Sequence, residues 1–444
     1  MRVNALLIVS LAVAAAGCPL FEPDFGEIGV ARVRSVRDQA AQRDAIVELR
    51  LAQLLLPVMQ AHQVDCWLLV SAGDNPDPLL PLLVVSGTEA YGRIVVLLCE
   101  GGNGLLERTA IGSDLRANEG LYEVIEPTQA QQVEESLRRQ VVAANPSRIA
   151  VNHSPGLSIA DGLSASDEAW LRQSLGPSLS ARLVSSAPLV EDLLSRYLDV
   201  EAVLFTEAAR LTVDLLGEVL SDQVIVAAKT SVEELTWAVR EQARESGLEV
   251  AFKPHAYLLR QGEPPGAGDL DGLDTILQPG DLLFLSAGLR YLGYATRYGR
   301  WVYLLEEGER QAPAWVTRGL DRLADLLEGT LPRLRPERTR IDLEAALAGE
   351  VGAPGGAVDL RVGRVGYLLD GDFGRRRRNA AHLLWQMDLP LRQGSLVVAE
   401  ATMRAMAAGW REQDASLMLL EDAVVEKAGA RFVVPVQRTP YLIE

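Results

Sequence analysis

Residues 280 to 305 leave this chain little freedom. Gly280-Asp281 opens the apolar run Leu282-Leu283-Phe284-Leu285, which Ser286-Ala287-Gly288 closes. Leu289-Arg290-Tyr291-Leu292-Gly293 follows, and then a second run from Tyr294 to Leu305. Two short apolar-aromatic runs bounded by glycine read as the strands of a hairpin, not as a helix. Around them the pattern repeats, with hairpin strands and helices packed on them. Strands are expected at Ala251–Arg260, Asp281–Leu289, Tyr294–Leu305, near Val362–Leu369, and at Ser395–Ala401, Ala415–Glu421 and Arg431–Val434. Helices are expected at Ala314–Leu327 and Asp342–Ala348.

The first half reads differently. A helical region from Val33 to Gln60 carries Leu49, Leu51, Leu54, Leu55 and Met59 at helical spacing. Strand-like runs follow at Val64–Val70, Leu79–Val85, Arg93–Cys99 and Arg148–Asn152, with helices at Gln129–Ala143 and Ala165–Leu175. Strands alternating with helices predict a parallel or mixed sheet. A second helical region, Pro188 to Ser221, bridges the halves. A helix from Ser231 to Ser246 follows, where Thr230-Ser231 with Glu233 and Glu234 makes an N-cap pattern. At 444 residues the chain is long enough for two or three domains.

The Gly280–Arg300 stretch resembles the metal-binding hairpin of the pita-bread peptidases, a family of Xaa-Pro aminopeptidases, prolidases, methionine aminopeptidases and creatinase. Gly280, Asp281, Gly288, Tyr291, Gly293, Tyr294 and Arg300 fall in register with it. The resemblance implies an α+β chain, with a creatinase-like α/β domain at 33–187 followed by a pita-bread domain at 188–444. The N-terminal half matches it only through "QVDCWLLVS", Asp74-Asn75-Pro76-Asp77-Pro78 and "IAVNHSP".

That family binds two divalent metals through two aspartates, a histidine and two glutamates. Paired cations hold a bridging hydroxide and clamp the transition state, and anionic oxygens offset their charge. Gly394 to Glu400 and Leu417 to Val424 resemble the two glutamate strands, so Glu400 and Glu421 stand at ligand positions. The aspartate positions hold Ser286 and Arg297. On the register of Val362 to Gly371 the histidine position holds Gly363, and Asp370 stands for a second histidine. A guanidinium has five donors and no acceptor, so Arg297 cannot bind a metal. The resemblance therefore implies a scaffold without metal or other cofactor. Arg297, with Arg300 nearby, is expected to replace the lost cation against Glu400 and Glu421.

Only four histidines occur: His62, His153, His255 and His382. His62 ends a helix and His153 follows a strand. His255 lies near the strand that flanks the family's substrate, so His255 and Arg300 are candidate cleft residues. His382 follows the basic run Arg375–Arg378, expected on an inserted loop that is a solvated face. Nucleophile elbows, Cys-x-x-Cys, Walker loops and His-Glu-x-x-His are absent from the sequence.

The first residues predict a location. Arg2 precedes an apolar run, Ala5 to Ala16, ending in Ala15-Ala16-Gly17-Cys18. A bilayer span needs about 20 apolar residues, and this run has the length of a signal-peptide core. Small residues before a cysteine resemble a bacterial lipoprotein signal, although Ala15 stands where Leu is usual. The expectation is a signal at 1–17, lipidation at Cys18, a tether at 18–32, and an exported protein anchored to the bilayer. Cys66 and Cys99 each lie in a strand-like run. Export permits a bridge, which needs Cα atoms within about 7 Å; two buried free thiols are the expected state. A net charge of −17 argues against nucleic acid as a partner.

Three functions follow from these readings, in order. The first is a metal-free pseudopeptidase that takes a peptide or protein ligand in the former cleft. The second is a working metallopeptidase with a site rebuilt from Glu400, Glu421, Asp422, Asp414 and His382. The third is a metal-free, creatinase-like hydrolase using His255 as acid and base.

Overall fold

The computed structural model describes residues 33–89, 92–262, 275–339, 342, 358–369, 389–407, 410 and 413–444. Cys18, Asp370, the Arg375–Arg378 run, His382 and the expected helix beyond Asp342 lie outside the described residues.

Ser35 caps the first helix, its hydroxyl accepting the Asp38 N–H at 3.2 Å. The first half then runs α1 (Val36–Gln53), α2 (Leu55–Ala61), β1 (Cys66–Ala72), β2 (Arg93–Glu100), β3 (Leu106–Ile111), β4 (Glu123–Ile125), α3 (Ala130–Ala144), β5 (Ile149–Val151), α4 (Ala165–Ser180) and β6 (Leu183–Ser185). These six strands form one mixed sheet in the order β4-β3-β2-β1-β5-β6. The run expected as a strand at Leu79–Val85 is instead a short 3-10 turn, Leu80–Leu82. Pro81 has no N–H to give a ladder, and Leu79, Leu80, Leu83 and Val84 fill the core instead. Three strands escaped the sequence pattern. β3 carries Glu107 and Arg108 mid-strand, and β4 and β6 have three residues each.

The expected helical region Pro188–Ser221 is two helices, α5 (Ala187–Leu194) and α6 (Asp199–Val219). Next comes α7 (Val232–Glu245), opened by a capping box. Ser231 Oγ accepts the Glu234 N–H at 3.2 Å and Glu234 Oε2 accepts the Ser231 N–H at 2.6 Å. Then follow β7 (Glu249–Val250), β8 (His255–Leu259), β9 (Leu282–Ala287), β10 (Leu289–Tyr291), β11 (Tyr294–Ala295), β12 (Tyr298–Leu304), α8 (Ala314–Thr330), β13 (Val358–Arg364), β14 (Leu396–Ala407), β15 (Gln413–Glu426), β16 (Gly429–Phe432) and β17 (Tyr441–Ile443). They form sheets ordered β17-β12-β9-β8, β13-β14-β15-β16 and β11-β10-β7. One apolar cluster is continuous through both halves, from Ile46 in α1 to Ile443 in β17.

A buried polar node joins the halves. Arg50 of α1 donates through Nη1 to both Glu201 oxygens, at 3.0 and 2.9 Å, and to the Arg196 carbonyl at 2.8 Å. Its Nη2 donates to the Leu193 carbonyl at 2.6 Å. Glu201 also accepts the Tyr294 hydroxyl at 3.2 Å and the Leu198 N–H at 2.7 Å. The Arg50 guanidinium lies 4.7 Å from the Tyr367 ring centroid, and that ring stacks on Tyr197. Burial opposes the charge on Arg50, and the Glu201 carboxylate together with Tyr367, Tyr197 and Tyr294 outweighs it.

Cys66 and Cys99 are not free thiols; they are joined in a disulfide. The β1–β2 register sets them directly opposite one another, with Cα atoms 4.1 Å apart. The neighbouring Asp65 carbonyl accepts the Glu100 N–H. The cysteines therefore occupy the next, non-hydrogen-bonded pair, where side chains come closest.

Asp77 is more than the turn residue its Asn-Pro-Asp-Pro setting suggests. It is 1% exposed. Its carboxylate accepts Asn152 Nδ2 and the Leu79 N–H, both at 2.8 Å, and its own N–H donates to Ser71 Oγ at 3.0 Å. Asn152 Oδ1 in turn accepts the Trp67 indole and the Ser186 hydroxyl. Burial pushes the Asp77 carboxyl up to about 6, against the pull of its two hydrogen bonds. The folded chain thus holds the Asp77 proton more tightly than the unfolded one. The stability this contributes is complete below about pH 4 and is lost as pH rises through about 6. Asn at position 77 does not titrate. The stability of wild type minus that of Asp77→Asn should therefore fall by about 2–3 kcal/mol between pH 4 and 7.5 in urea unfolding. A pH-independent difference would contradict it.

Candidate functional site

The predicted hairpin is present, and its register decides what faces what. Across β8, β9 and β12, His255 pairs with Ser286 and Ser286 with Gly299. Paired residues share a face of a sheet, so His255 and Ser286 lie side by side. Ser286 is 5% exposed, and its hydroxyl donates to the Tyr298 carbonyl at 3.0 Å. Phe252 stacks on His255 at 6.3 Å. The Arg297 guanidinium carbon lies 5.3 Å from the centroid of the same Phe252 ring. The structure thus brings Ser286 beside His255, and His255 and Arg297 both against the Phe252 ring.

The hairpin closes tightly. A Cβ on Gly288 would stand 1.9 Å from the Thr296 carbonyl oxygen and 2.6 Å from Phe252 Cε1. Backbone cannot give way as a side-chain tip can. Gly288→Ala is expected to cost at least about 1–3 kcal/mol, read by chemical denaturation. A change below 0.5 kcal/mol, within the range of an ordinary surface substitution at roughly ±0.5 kcal/mol, would refute this packing.

Arg300 does not line a cleft. It is 2% exposed and meets Glu421 through both arms, Nη1 to Oε1 at 2.8 Å and Nη2 to Oε2 at 3.2 Å. Glu421 is 0% exposed and also accepts the Gln437 N–H at 3.3 Å. The guanidinium that neutralises Glu421 is therefore Arg300's, where sequence gave the leading role to Arg297. The Arg297 main-chain N–H donates to the adjoining carboxylate, Asp422 Oδ2, at 2.9 Å. Asp422 is buried outright, and burial holds its carboxyl well above the usual carboxylate range despite that bond. Its Oδ1 has no hydrogen-bond partner among the described residues, and neither has the buried Tyr298 hydroxyl.

The β14–β15 ladder is continuous from Leu396↔Val424 to Ala407↔Gln413, without a bulge. In it Glu400 pairs with Leu420, and Glu421 pairs with Ala399. Successive residues alternate faces, so Glu400 and Glu421 project from opposite faces of the sheet. The carboxylate that shares the face of Glu400 is Asp422, opposite Val398. Gly363 also pairs with Val398, as an ordinary strand residue. Asp414 stands near the far end of the same ladder, opposite Met406. His62 and His153 lie elsewhere, beside Asp192 and Glu168. Among the described residues no three His, Cys, Asp or Glu side chains are grouped as a metal would require. Among the described residues the donor set does not fit a dinuclear metal: Glu421 is taken by the Arg300 guanidinium, and Glu400 projects from the other face of the sheet.

Two contributors carry no sequence signal of their own. Gln437 reaches over from the segment before β17. Its Oε1 accepts the Trp301 N–H at 2.7 Å and its Nε2 donates to the Trp301 carbonyl at 2.9 Å, so one amide imitates a neighbouring strand. Gly366, at φ 90°, bridges to Ala295 of the hairpin, and a Cβ there would lie 2.4 Å from the Tyr197 hydroxyl.

Solved structures resemble this fold along most of its length. An X-Pro aminopeptidase from Thermotoga maritima MSB8 matches with a TM-score of 0.62 and 15% identity, covering 87% of this chain and 100% of that one. An Xaa-Pro dipeptidase from Bacillus anthracis matches at 0.57 and 15%, covering 91% and 100%. The prolidase from Pyrococcus furiosus matches at 0.53 and 14%, covering 86% and 100%. No family model and no curated protein matches the sequence. At such identities the likeness shows the fold, which is α+β and of the pita-bread type.

Proposed function

We propose that this chain is a pseudoenzyme of the Xaa-Pro peptidase type, which holds a peptide or protein segment in the former active-site cleft. The observation that carries this reading is the fate of the two ligand-position glutamates. Glu421 is clasped by Arg300, and Glu400 projects from the other face. Hydrolysis in the manner of the fold needs both carboxylates on one pair of cations, and here the charge of Glu421 is already matched by Arg300. In this reading the protein is exported, and a lipid on Cys18 anchors it to the bilayer. Among the described residues no helix is long and apolar enough to cross a membrane.

The test is elemental analysis of the purified protein, with Xaa-Pro dipeptide hydrolysis in added manganese, cobalt or zinc. No stoichiometric metal and no turnover are expected. Two metals per chain, or turnover lost on Glu400→Ala, would establish a working metallopeptidase instead. Binding is read with a proline-containing dipeptide by calorimetry. Cys18→Ser should move the protein out of the membrane fraction, and unchanged fractionation would remove the anchor from the proposal.

His255 beside Ser286 favours one second reading, a metal-free hydrolase in which the imidazole moves the proton. Its mark would be hydrolysis that survives a chelator and disappears in His255→Ala.

A further inference from the structure

We propose that Cys66 and Cys99 form an oxidation site, through which this chain is the substrate of a protein dithiol oxidant outside the cytoplasm, and that the bridge closes before the N-terminal sheet does. The argument rests on where the two sulfurs lie. β1 and β2 are the inner strands of the six-stranded sheet, with β3 and β4 on one side and β5 and β6 on the other. Cys66 is 1% exposed and Cys99 3%. Both belong to an apolar cluster with Leu68, Val70, Val95, Leu137 and Leu171, in which α3 and α4 cover that face. Thiol–disulfide exchange needs in-line access of a thiolate to a sulfur. No protein oxidant reaches either sulfur once those helices have docked.

The unfolded or partly folded chain is therefore the species oxidised. The Cys66 thiolate attacks a sulfur of the oxidant's disulfide, forming a mixed disulfide and releasing the oxidant's other sulfur as thiolate. The Cys99 thiolate then attacks the Cys66 sulfur and displaces the oxidant. Two thiols of this chain lose two electrons and two protons, and the oxidant's disulfide gains both pairs as a dithiol. Such chemistry is sustained in exported proteins and opposed by cytosolic reductants. Pairing is also unambiguous if Cys18 carries a lipid, because its sulfur is then a thioether; that clause rests on the anchor proposed above, and the compartment on the export proposed with it.

The experiment uses the full chain in a cell that exports it. Thiols are trapped by acid quench, alkylated in denaturant and located by peptide mass. The expected result is no label on Cys66 or Cys99 before reduction and label on both after it. Label on both before reduction overturns the proposal. A pulse-chase with protease then reads the order: an oxidised, protease-sensitive species should precede the resistant one. A resistant but reduced species appearing first overturns the order. Dithiothreitol should reduce the folded protein at least roughly tenfold more slowly in buffer than in urea; equal rates overturn the burial argument. These thiol counts are independent of membrane fractionation, so a failed anchor and a failed oxidation site are told apart.

Discussion

Glu201→Ala is expected to destabilise this protein by about 3–5 kcal/mol, because it strands a buried positive charge. Arg50 has 6% of its side chain exposed and Glu201 none. With Glu201 gone, the Arg50 arm keeps only the Leu193 and Arg196 carbonyls, and the Tyr294 hydroxyl loses its acceptor. The charge is what costs, so Arg50→Met together with Glu201→Gln should recover a large part of the loss. Urea unfolding of the two single variants and the double variant reads this directly. A Glu201→Ala cost below 1 kcal/mol would mean that the node contributes no more than an exposed ion pair, about 0–1 kcal/mol. Arg50 sits on α1 and Tyr294 on the hairpin, so the loss should appear as one transition rather than as release of the first half alone.

Arg300→Ala should cost a similar amount, about 3–5 kcal/mol, by the reverse logic. It leaves Glu421 without its bidentate partner in a site where burial already raises the carboxyl against Arg300's pull. The remaining Gln437 N–H, at 3.3 Å, is a weak substitute for a guanidinium. Arg300→Met with Glu421→Gln should regain part of the stability. Arg300→Ala alone should leave Glu421 protonated at neutral pH, visible as a carboxylic acid band in difference infrared spectra. A cost under 1 kcal/mol with Glu421 still ionised would show that some other group carries its charge. This pair also separates the functional readings. If Glu421 were held for a metal, removing Arg300 would admit one, and manganese or zinc would raise the melting temperature of Arg300→Ala.

Much of the fold was legible because periodicity and glycine placement are local. The hairpin from Gly280 to Arg300, the capping box of α7 and the helices α3, α4 and α8 were all within a few residues of their observed ends. The apolar run at Leu79–Val85 misled, because burial and strand formation give the same apolar signal. At the site, the sequence reading put Ser286, Arg297 and Gly363 at altered positions on resemblance alone. It did not find which guanidinium serves which carboxylate. Arg297 and Arg300 are three positions apart, and only the approach of β15 to β12 sorts their partners. The opposite facing of Glu400 and Glu421 was hidden for the same reason. It depends on a one-residue choice of register between two strands, which neither strand encodes alone. The bridge between Cys66 and Cys99 was hidden likewise by the pairing of β1 with β2.

Gln437 and β17 set a timetable. β12 has β9 at one edge early in synthesis, but its other edge is filled by Val302↔Tyr441 pairing and by the Gln437 amide on Trp301. Those residues leave the ribosome long after β12 does, and after the whole β14–β15 ladder. Until they arrive, β12 presents an open edge, and the Arg300–Glu421 pair lacks one of its hydrogen bonds. A chain made from its N-terminus would therefore hold β12 half-paired, beside a first sheet whose strands β1 to β6 are already complete in sequence. That interval is when the second half is most exposed to proteases and to strand pairing with other chains.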